Sequence, residues 1–384
     1  MIGGRTALRL APGVLGELAR DRSSVLVTGT NGKSTVTALV AAALTPGGSV
    51  VTNGTGANMP DGIVTALDAD RASRLAAIEV DEVYLQQVVR DTQPRAVVVL
   101  NAFREYTRGV SLAATLAHWA QAADALPVDC ATIINVEDPL VVWAFRSAPW
   151  LVGVAGGLGW RADAELCPAC GAAHEFGEAG WWCPGCGLRQ PAADWRVSGG
   201  DEQTGWTVIG PDQQARVLVR IPGRTGPVGA AFALASAAAL GLDVGEAAER
   251  ISRVGDVDGR YLPFDVDGRS ARLLMLKNPA GWAEAIDLAV GAGLPLVVAV
   301  DPFGPKDTTT MWEAPFERLG DREVAVTGGR ASDALAVLAA AGVPAVEMSE
   351  APGAIRSRPP GEVVVACNYP AFRRISRQLR DGAR

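Results

Sequence analysis

The apolar positions of this chain fall in short unbroken runs rather than in strict alternation. Residues 24–28, Val50-Val51-Thr52, Leu75 to Val80, Ala96 to Asn101 and Ala131 to Asn135 are the first five. Runs of this length without a polar partner position predict strands buried on both faces, which is the pattern of a parallel sheet. Between them lie longer Ala- and Leu-rich stretches, such as 33–44, that read as helices. In such a sheet the chemistry belongs at the strand C-termini, where Glu79, Asn101 and Asn135 stand. Trp-, Gly- and Cys-rich sequence interrupts the rhythm at about 160–200, followed by strand-like 205–209 and 215–219 and a helical stretch at 229–241. The stretch Gly255 to Asp267 reads as a connection, and a second α/β unit follows with strands near 271–276, 295–300, 323–327 and 362–366. The expected organisation is a first domain over 1–260, carrying the insertion, and a second over 261–384.

The first strand leads into Gly29-Thr30-Asn31-Gly32-Lys33-Ser34-Thr35. A strand, a glycine turn and a helix start aim backbone N–H groups and the positive end of a helix dipole at an anion. Lys33 can reach terminal phosphates and Ser34 can ligate Mg²⁺. The spacing is shorter than the common G-x-x-x-x-G-K-[ST] loop, whose first glycine falls on Val27 here. An ordinary glycine turn is the competing reading.

With 384 residues the chain is long enough for two or three domains with proper cores. A net charge of −7 argues against a nucleic-acid binder, for which a basic patch is expected. No run reaches the ~18–20 apolar residues of a membrane span, and Met1-Ile2-Gly3-Gly4-Arg5 lacks the apolar core of a signal peptide. The expected location is the cytoplasm.

Cys167-Pro168-Ala169-Cys170 and Cys183-Pro184-Gly185-Cys186 are two C-x-x-C knuckles twelve residues apart, each followed by Gly. Four thiolates at this spacing predict a closed, structural zinc site. Two disulfides are the alternative, disfavoured in a reducing compartment. His174 lies between the knuckles and reads as a surface residue of the loop, because four thiolates already complete the shell. Cys130 and Cys367 stand alone in apolar stretches and read as buried thiols.

The short phosphate loop resembles that of the Mur ligases. Further segments are similar to one branch of that family, the ligase-like subunits of lipid II isoglutaminyl synthases. These are Val51 to Met59 with Gly62-Ile63-Val64, Glu79-Val80-Asp81-Glu82, Asn135-Val136-Glu137-Asp138-Pro139, the four-cysteine insertion, Lys277 to Gly281, and Asp307 with Trp312 to Glu317. The resemblance covers nearly the whole chain. With the phosphate loop beginning at Gly29, the nucleotide-sugar domain that precedes it in other Mur ligases is not expected here.

The resemblance implies a Mur-ligase-type central ATPase domain with a parallel sheet and zinc-ribbon insertion, followed by a Rossmann-like α/β domain. It implies ATP and Mg²⁺ as cofactors beside structural Zn²⁺. Thr30, Asn31, Gly32, Lys33, Ser34 and Thr35 would form the phosphate loop, with Lys33 on the β- and γ-phosphates and Ser34 on the metal. Glu79 matches a Mg²⁺-binding acid, against the reading of a surface acid beside Asp81 and Glu82. Asn135 and Asp138 would line the nucleotide site, with a turn cap as the alternative. Arg260 would clamp phosphate, or else be a solvated linker residue. Asp307 would reach into the active site of a GatD-like class I glutamine amidotransferase and orient the His of its Cys–His pair; a helix N-cap before three threonines is the alternative.

The implied reaction is ATP-dependent amidation of the D-glutamate α-carboxylate of the lipid II stem peptide. The alternatives are a ligase for another amino-acid or peptide carboxylate and a non-catalytic scaffold. This chain has only His118 and His174 and no evident glutaminase nucleophile, so ammonia is expected from a partner. Three departures stand out. Gly226 and Gly229 occupy positions where the branch carries Asn near the adenine, which puts the nucleotide preference in doubt. The strand-end motif keeps Asn101, Phe103 and Arg104 but loses its downstream acid and Tyr-Gly, and Gly259-Arg260-Tyr261 lacks a following acid.

Overall fold

The computed structural model describes residues 2–54, 56–105, 109–221, 223–255, 263–303 and 309–382. The chain divides into two compact units, one of Met1–Arg104 with Val110–Val257 and one of Glu105–Gly109 with Asp258–Arg384.

The first unit is built on six parallel strands: β1 (Ser23–Thr28), β2 (Val50–Thr52), β3 (Leu75–Glu79), β4 (Ala96–Val99), β5 (Ala131–Asn135) and β6 (Leu151–Val154), in the order β2-β3-β1-β4-β5-β6. β1, β4 and β5 are buried almost throughout because helices cover both faces. β1 pairs with β3 on one side and β4 on the other, so its C-terminal end opens at mid-sheet. From β1 the chain crosses to the edge strand β2, returns through β3, and then crosses β1 to β4, β5 and β6 on the other side. That reversal is the switch point at which open α/β sheets hold ligands. The helix Lys33–Leu44 leaves β1 and packs along the helix Thr225–Ala239, which is apolar all round and buried on most of its faces.

Beyond β6 the insertion forms a hairpin of β7 (Glu175–Gly177) and β8 (Gly180–Trp182). An antiparallel sheet of β9 (Arg196–Asp201), β10 (Gly205–Gly210) and β11 (Gln213–Val217) follows. The insertion is tied to the edge of the main sheet: Asp194 and Trp195 both donate backbone N–H groups to Gly153 O, at 2.8 and 2.9 Å.

The second unit holds β12 (Pro263–Asp265), β13 (Arg269–Met275), β14 (Leu296–Ala299), β15 (Val324–Thr327), β16 (Ala345–Glu347) and β17 (Gly361–Cys367) in the order β12-β13-β17-β14-β15-β16. Among the described residues only the β12–β13 pairing of this sheet is antiparallel. Two buried clusters, one around Trp282 and Phe316 and one around Ile355 and Ile375, cover its faces. Among the described residues no helix is long and apolar enough to cross a membrane.

Candidate nucleotide site and four-cysteine centre

The turn after β1 depends on two glycines. Gly29 has φ 138° and Gly32 φ 85°, both in the region that disfavours side chains. A Cβ on Gly29 would also lie 2.9 Å from Leu100 Cβ. The loop is clasped to the end of β4. Asn31 N donates to Asn101 Oδ1 at 2.8 Å, and Asn101 Nδ2 returns a bond to Asn31 O at 3.1 Å. Thr30 N donates to Asn101 O at 3.0 Å, and Phe103 N to Thr30 Oγ1 at 3.0 Å. Thr35 is buried at the helix start. The first turn of the Lys33–Leu44 helix carries N–H groups that cannot bond within the helix, an anion site by construction.

Ser34 Oγ donates to Glu79 Oε2 at 2.6 Å, so the hydroxyl at the helix start and the acid at the end of β3 meet. Asn58 Nδ2 donates to the other oxygen of Glu79 at 3.0 Å. Asn53 fixes the Glu79 backbone from both sides, through Nδ2 to Glu79 O and Oδ1 from Glu79 N, each at 2.8 Å. Lys33 is folded back: Nζ donates to Gly29 O at 2.5 Å, Thr30 O at 3.2 Å and Glu82 Oε2 at 3.1 Å. Lys33 and Glu82 are both buried, with side chains only 7% and 8% exposed. A lysine charge, a hydroxyl beside a carboxylate and a helix N-terminus therefore share the C-terminal edge of the sheet, where β1 and β3 end side by side. This is the set needed to hold a polyphosphate and its divalent cation.

Asn135 and Asp138 stand at the neighbouring strand end, where their polar atoms are already engaged. Asp138 caps the helix Pro139–Ala144 by accepting from Leu140 N at 2.9 Å and Val141 N at 3.4 Å. Its second oxygen accepts from Ala102 N at 2.9 Å, which joins the ends of β5 and β4. Complete burial pushes its carboxyl up to about 6, against the pull of those three N–H groups and with the help of nearby Asp163. Asn135 donates to Gly157 O at 2.9 Å and accepts from Glu137 N and Gly156 N, both at 3.1 Å. These bonds are those of the turn-cap alternative.

Gly226 and Gly229 acquire a packing reason. A Cβ on Gly226 would sit 2.5 Å from Ile221 O, and one on Gly229 would sit 2.9 Å from Leu39 Cδ1 of the facing helix. At Gly226 the backbone of the preceding turn leaves no space for a side chain, and at Gly229 a larger residue would have to displace the Leu39 side chain of the facing helix. Arg260 and Asp307 lie outside the described residues.

In the insertion the four sulfurs of Cys167, Cys170, Cys183 and Cys186 lie within 4.8 Å of one another. Cys167 and Cys186 Sγ are 3.7 Å apart and Cys170 and Cys183 Sγ 3.4 Å. Tetrahedral zinc with Zn–S of about 2.3 Å sets an S–S edge of about 3.8 Å, so the cluster fits the metal. All four are free thiols rather than disulfides. His174 corrects the reading of a surface residue. It is 8% exposed, its Nδ1 lies 2.7 Å from Ala164 O, and its ring meets Trp181 edge-on at 5.4 Å. Filling the small core under the knuckles outweighs the polarity of the ring.

Sequence reasoning left Asn101, Asn53, Asn58 and Glu82 without roles. The first three were visible at strand ends or in the N-G-T-G-A-N run, but their partners lie 70, 26 and 21 residues away.

Residues 27–106 match the model of the Mur ligase middle domain. A MurT subunit of lipid II isoglutaminyl synthase from Streptococcus pneumoniae is 27% identical, over 90% of this chain and 83% of that protein. A MurT from Staphylococcus aureus (strain N315) is 24% identical over 86% of this chain and 80% of its own length. Among solved structures, MurF from Acinetobacter baumannii superposes with a TM-score of 0.73 at 14% identity, over 97% of this chain and 80% of that one. A pseudomurein peptide ligase type C from Methanothermus fervidus gives 0.71 at 14%, over 94% and 79%. The fold is that of the Mur ligases, α/β with a parallel sheet bearing the phosphate loop. Within that class the chain is MurT-like, by sequence relatives that span most of its length.

Proposed function

We propose that this chain is the ATP-dependent ligase subunit that amidates the D-glutamate α-carboxylate of the lipid II stem peptide. The observation that carries this reading is the meeting of Ser34 and Glu79 at 2.6 Å beside the helix N-terminus and Lys33. The MurT names of its relatives supply the substrate.

In this reading Gly29 to Thr35 receive the triphosphate on backbone N–H groups, and Lys33 leaves Glu82 to reach the β- and γ-phosphates. Ser34 and Glu79 would hold Mg²⁺, which when bound neutralises charge during phosphoryl transfer. A carboxylate oxygen attacks the γ-phosphorus and ADP departs, leaving an acyl phosphate. Ammonia then attacks the carbonyl carbon, phosphate departs, and the nitrogen loses a proton to give D-isoglutamine. Asn135 and Asp138 hold the nucleotide-side strand ends in place, and Arg260 serves as a phosphate contact. Residues 1–260 form the ATPase domain. Residues 261–384 carry Asp307 towards a GatD-like glutamine amidotransferase that supplies the ammonia. The cysteine centre holds structural zinc.

Calorimetric titration of the purified chain with a non-hydrolysable ATP analogue tests the site. Binding should require Mg²⁺ and weaken at least about tenfold in Glu79→Gln, the scale of one lost charge-assisted contact. Equal affinity with and without Mg²⁺ would remove Ser34 and Glu79 from the metal site.

A further inference from the structure

We infer that the four-cysteine insertion braces the phosphate loop, with Trp181 and Asp163 as the positioning residues that transmit the support. The inference rests on the nucleotide reading only for its consequence in ATP affinity; the brace itself is a property of the free chain.

The insertion departs from the edge strand β6 and turns back over the C-terminal ends of the sheet. Trp181, in β8 and two residues before the zinc ligand Cys183, is 3% exposed. Its indole N–H donates to Val136 O at 3.0 Å, inside the turn that links Asn135 to Asp138. Asp138 in turn accepts from Ala102 N. Next along the chain, Phe103 N donates to Thr30 Oγ1 at 3.0 Å, and that hydroxyl donates to Phe103 O at 3.3 Å. A second line reaches the same segment. Asp163, whose side chain is 1% exposed, accepts from Arg104 N at 2.8 Å and pairs with the Arg104 guanidinium. Trp181 and Ala164 also belong to the buried cluster that holds Ile134, Val136 and Ala102. Every link lies in one compact unit.

The insertion cannot hold this arrangement by its own backbone. β7 and β8 are three residues each, and an isolated hairpin of that size is marginal in water. Four thiolates on one metal supply folding free energy to such a module. The path from the knuckles to Thr30 is a series of buried and part-buried hydrogen bonds and packed side chains, the kind of network through which coupling travels.

The test uses the full chain loaded with zinc, with Trp181→Phe and Asp163→Asn as variants. Phenylalanine keeps an aromatic ring but deletes the donor; asparagine keeps size but deletes the charge. Zinc per chain is measured by chromogenic titration after thiol release, and amide hydrogen exchange is read over 30–31 and 101–104. Both variants should retain wild-type zinc. Exchange in those segments should rise about three- to tenfold, the factor a net hydrogen bond carries. ATP-analogue affinity should fall by a similar factor. Zinc-loaded variants that exchange like the wild type would overturn the brace. Should Trp181→Phe fail to fold, Asp163→Asn decides alone. A wild-type chain that binds no nucleotide would sink the proposed function instead, with the exchange data still deciding the brace.

Discussion

Replacing Lys33 by Met probes the least expected feature of the loop, its buried pairing with Glu82. At 3.1 Å the two charges attract by about 5 kcal/mol for an effective dielectric near 20. Most of that offsets the cost of taking both from water. Removing only the lysine leaves the Glu82 carboxylate buried without its partner, and such breakage costs about 3–5 kcal/mol. Lys33→Met should therefore lower stability by about 3 kcal/mol. For a unit of this size that means about 6–12 °C in melting temperature. Glu82→Gln should cost less, because the amide oxygen still accepts from Nζ. In the double variant the orphaned charge is gone, and about 2 kcal/mol of the Lys33→Met loss should return as coupling. Thermal melts of the four proteins by circular dichroism read the cycle, and the double variant should melt above Lys33→Met while still failing to bind ATP. That separates a lost phosphate contact from a damaged fold. A Lys33→Met protein that melts like the wild type, or a double variant that carries the plain sum of both losses, would refute the reasoning.

Four further outcomes follow from particular residues. Gly226→Ala should destabilise by about 1–3 kcal/mol, since its Cβ would meet Ile221 O at 2.5 Å; unchanged melting would show that the backbone gives way freely. Asp138 should tilt the pH profile of stability. Its carboxyl lies at about 6 when folded against a model value of 3.8, so the folded state binds the extra proton between these values. The contribution is full below pH 4 and is lost as pH rises through 6, about 3 kcal/mol in total, and denaturation midpoints from pH 4 to 7 should lose that slope in Asp138→Asn. Stripping zinc with a chelator should expose Trp181, and fluorescence that stays unshifted would show that the cysteines do not order the insertion. Asp307→Asn should abolish glutamine-driven amidation in the complex with the amidotransferase and spare ammonium-driven amidation; equal loss of both would exclude its role on the partner's His.

The central strands and the phosphate loop were legible because local forces define them. Unbroken apolar runs force burial on both faces, and a glycine turn before Lys and Ser permits few other structures. The helix at Lys33–Leu44 and the strands Val50–Thr52 and Ala131–Asn135 match their expected limits. The cysteine cluster was legible for a similar reason, since knuckle spacing is a local property. β6 escaped notice because Leu151–Val154 is short, contains Gly153 and is exposed at its start. What the sequence hid was long-range pairing. Nothing near Glu82 announces Lys33, 49 residues away, and nothing near Trp181 announces Val136, 45 residues away. Gly226 and Gly229 illustrate the converse. Read along the chain they are missing amides, whereas in the fold they are the places where two helices and a turn come close.

Product formation by the purified chain tests the central claim most directly. It would be incubated with lipid II, ATP, Mg²⁺ and an ammonium salt, with phosphate release followed and the lipid read by mass spectrometry. The account predicts lipid-II-dependent phosphate release together with a carboxyl-to-amide mass change on the D-glutamate residue. ATP turnover that leaves lipid II unchanged, or no turnover with or without the amidotransferase, would contradict it.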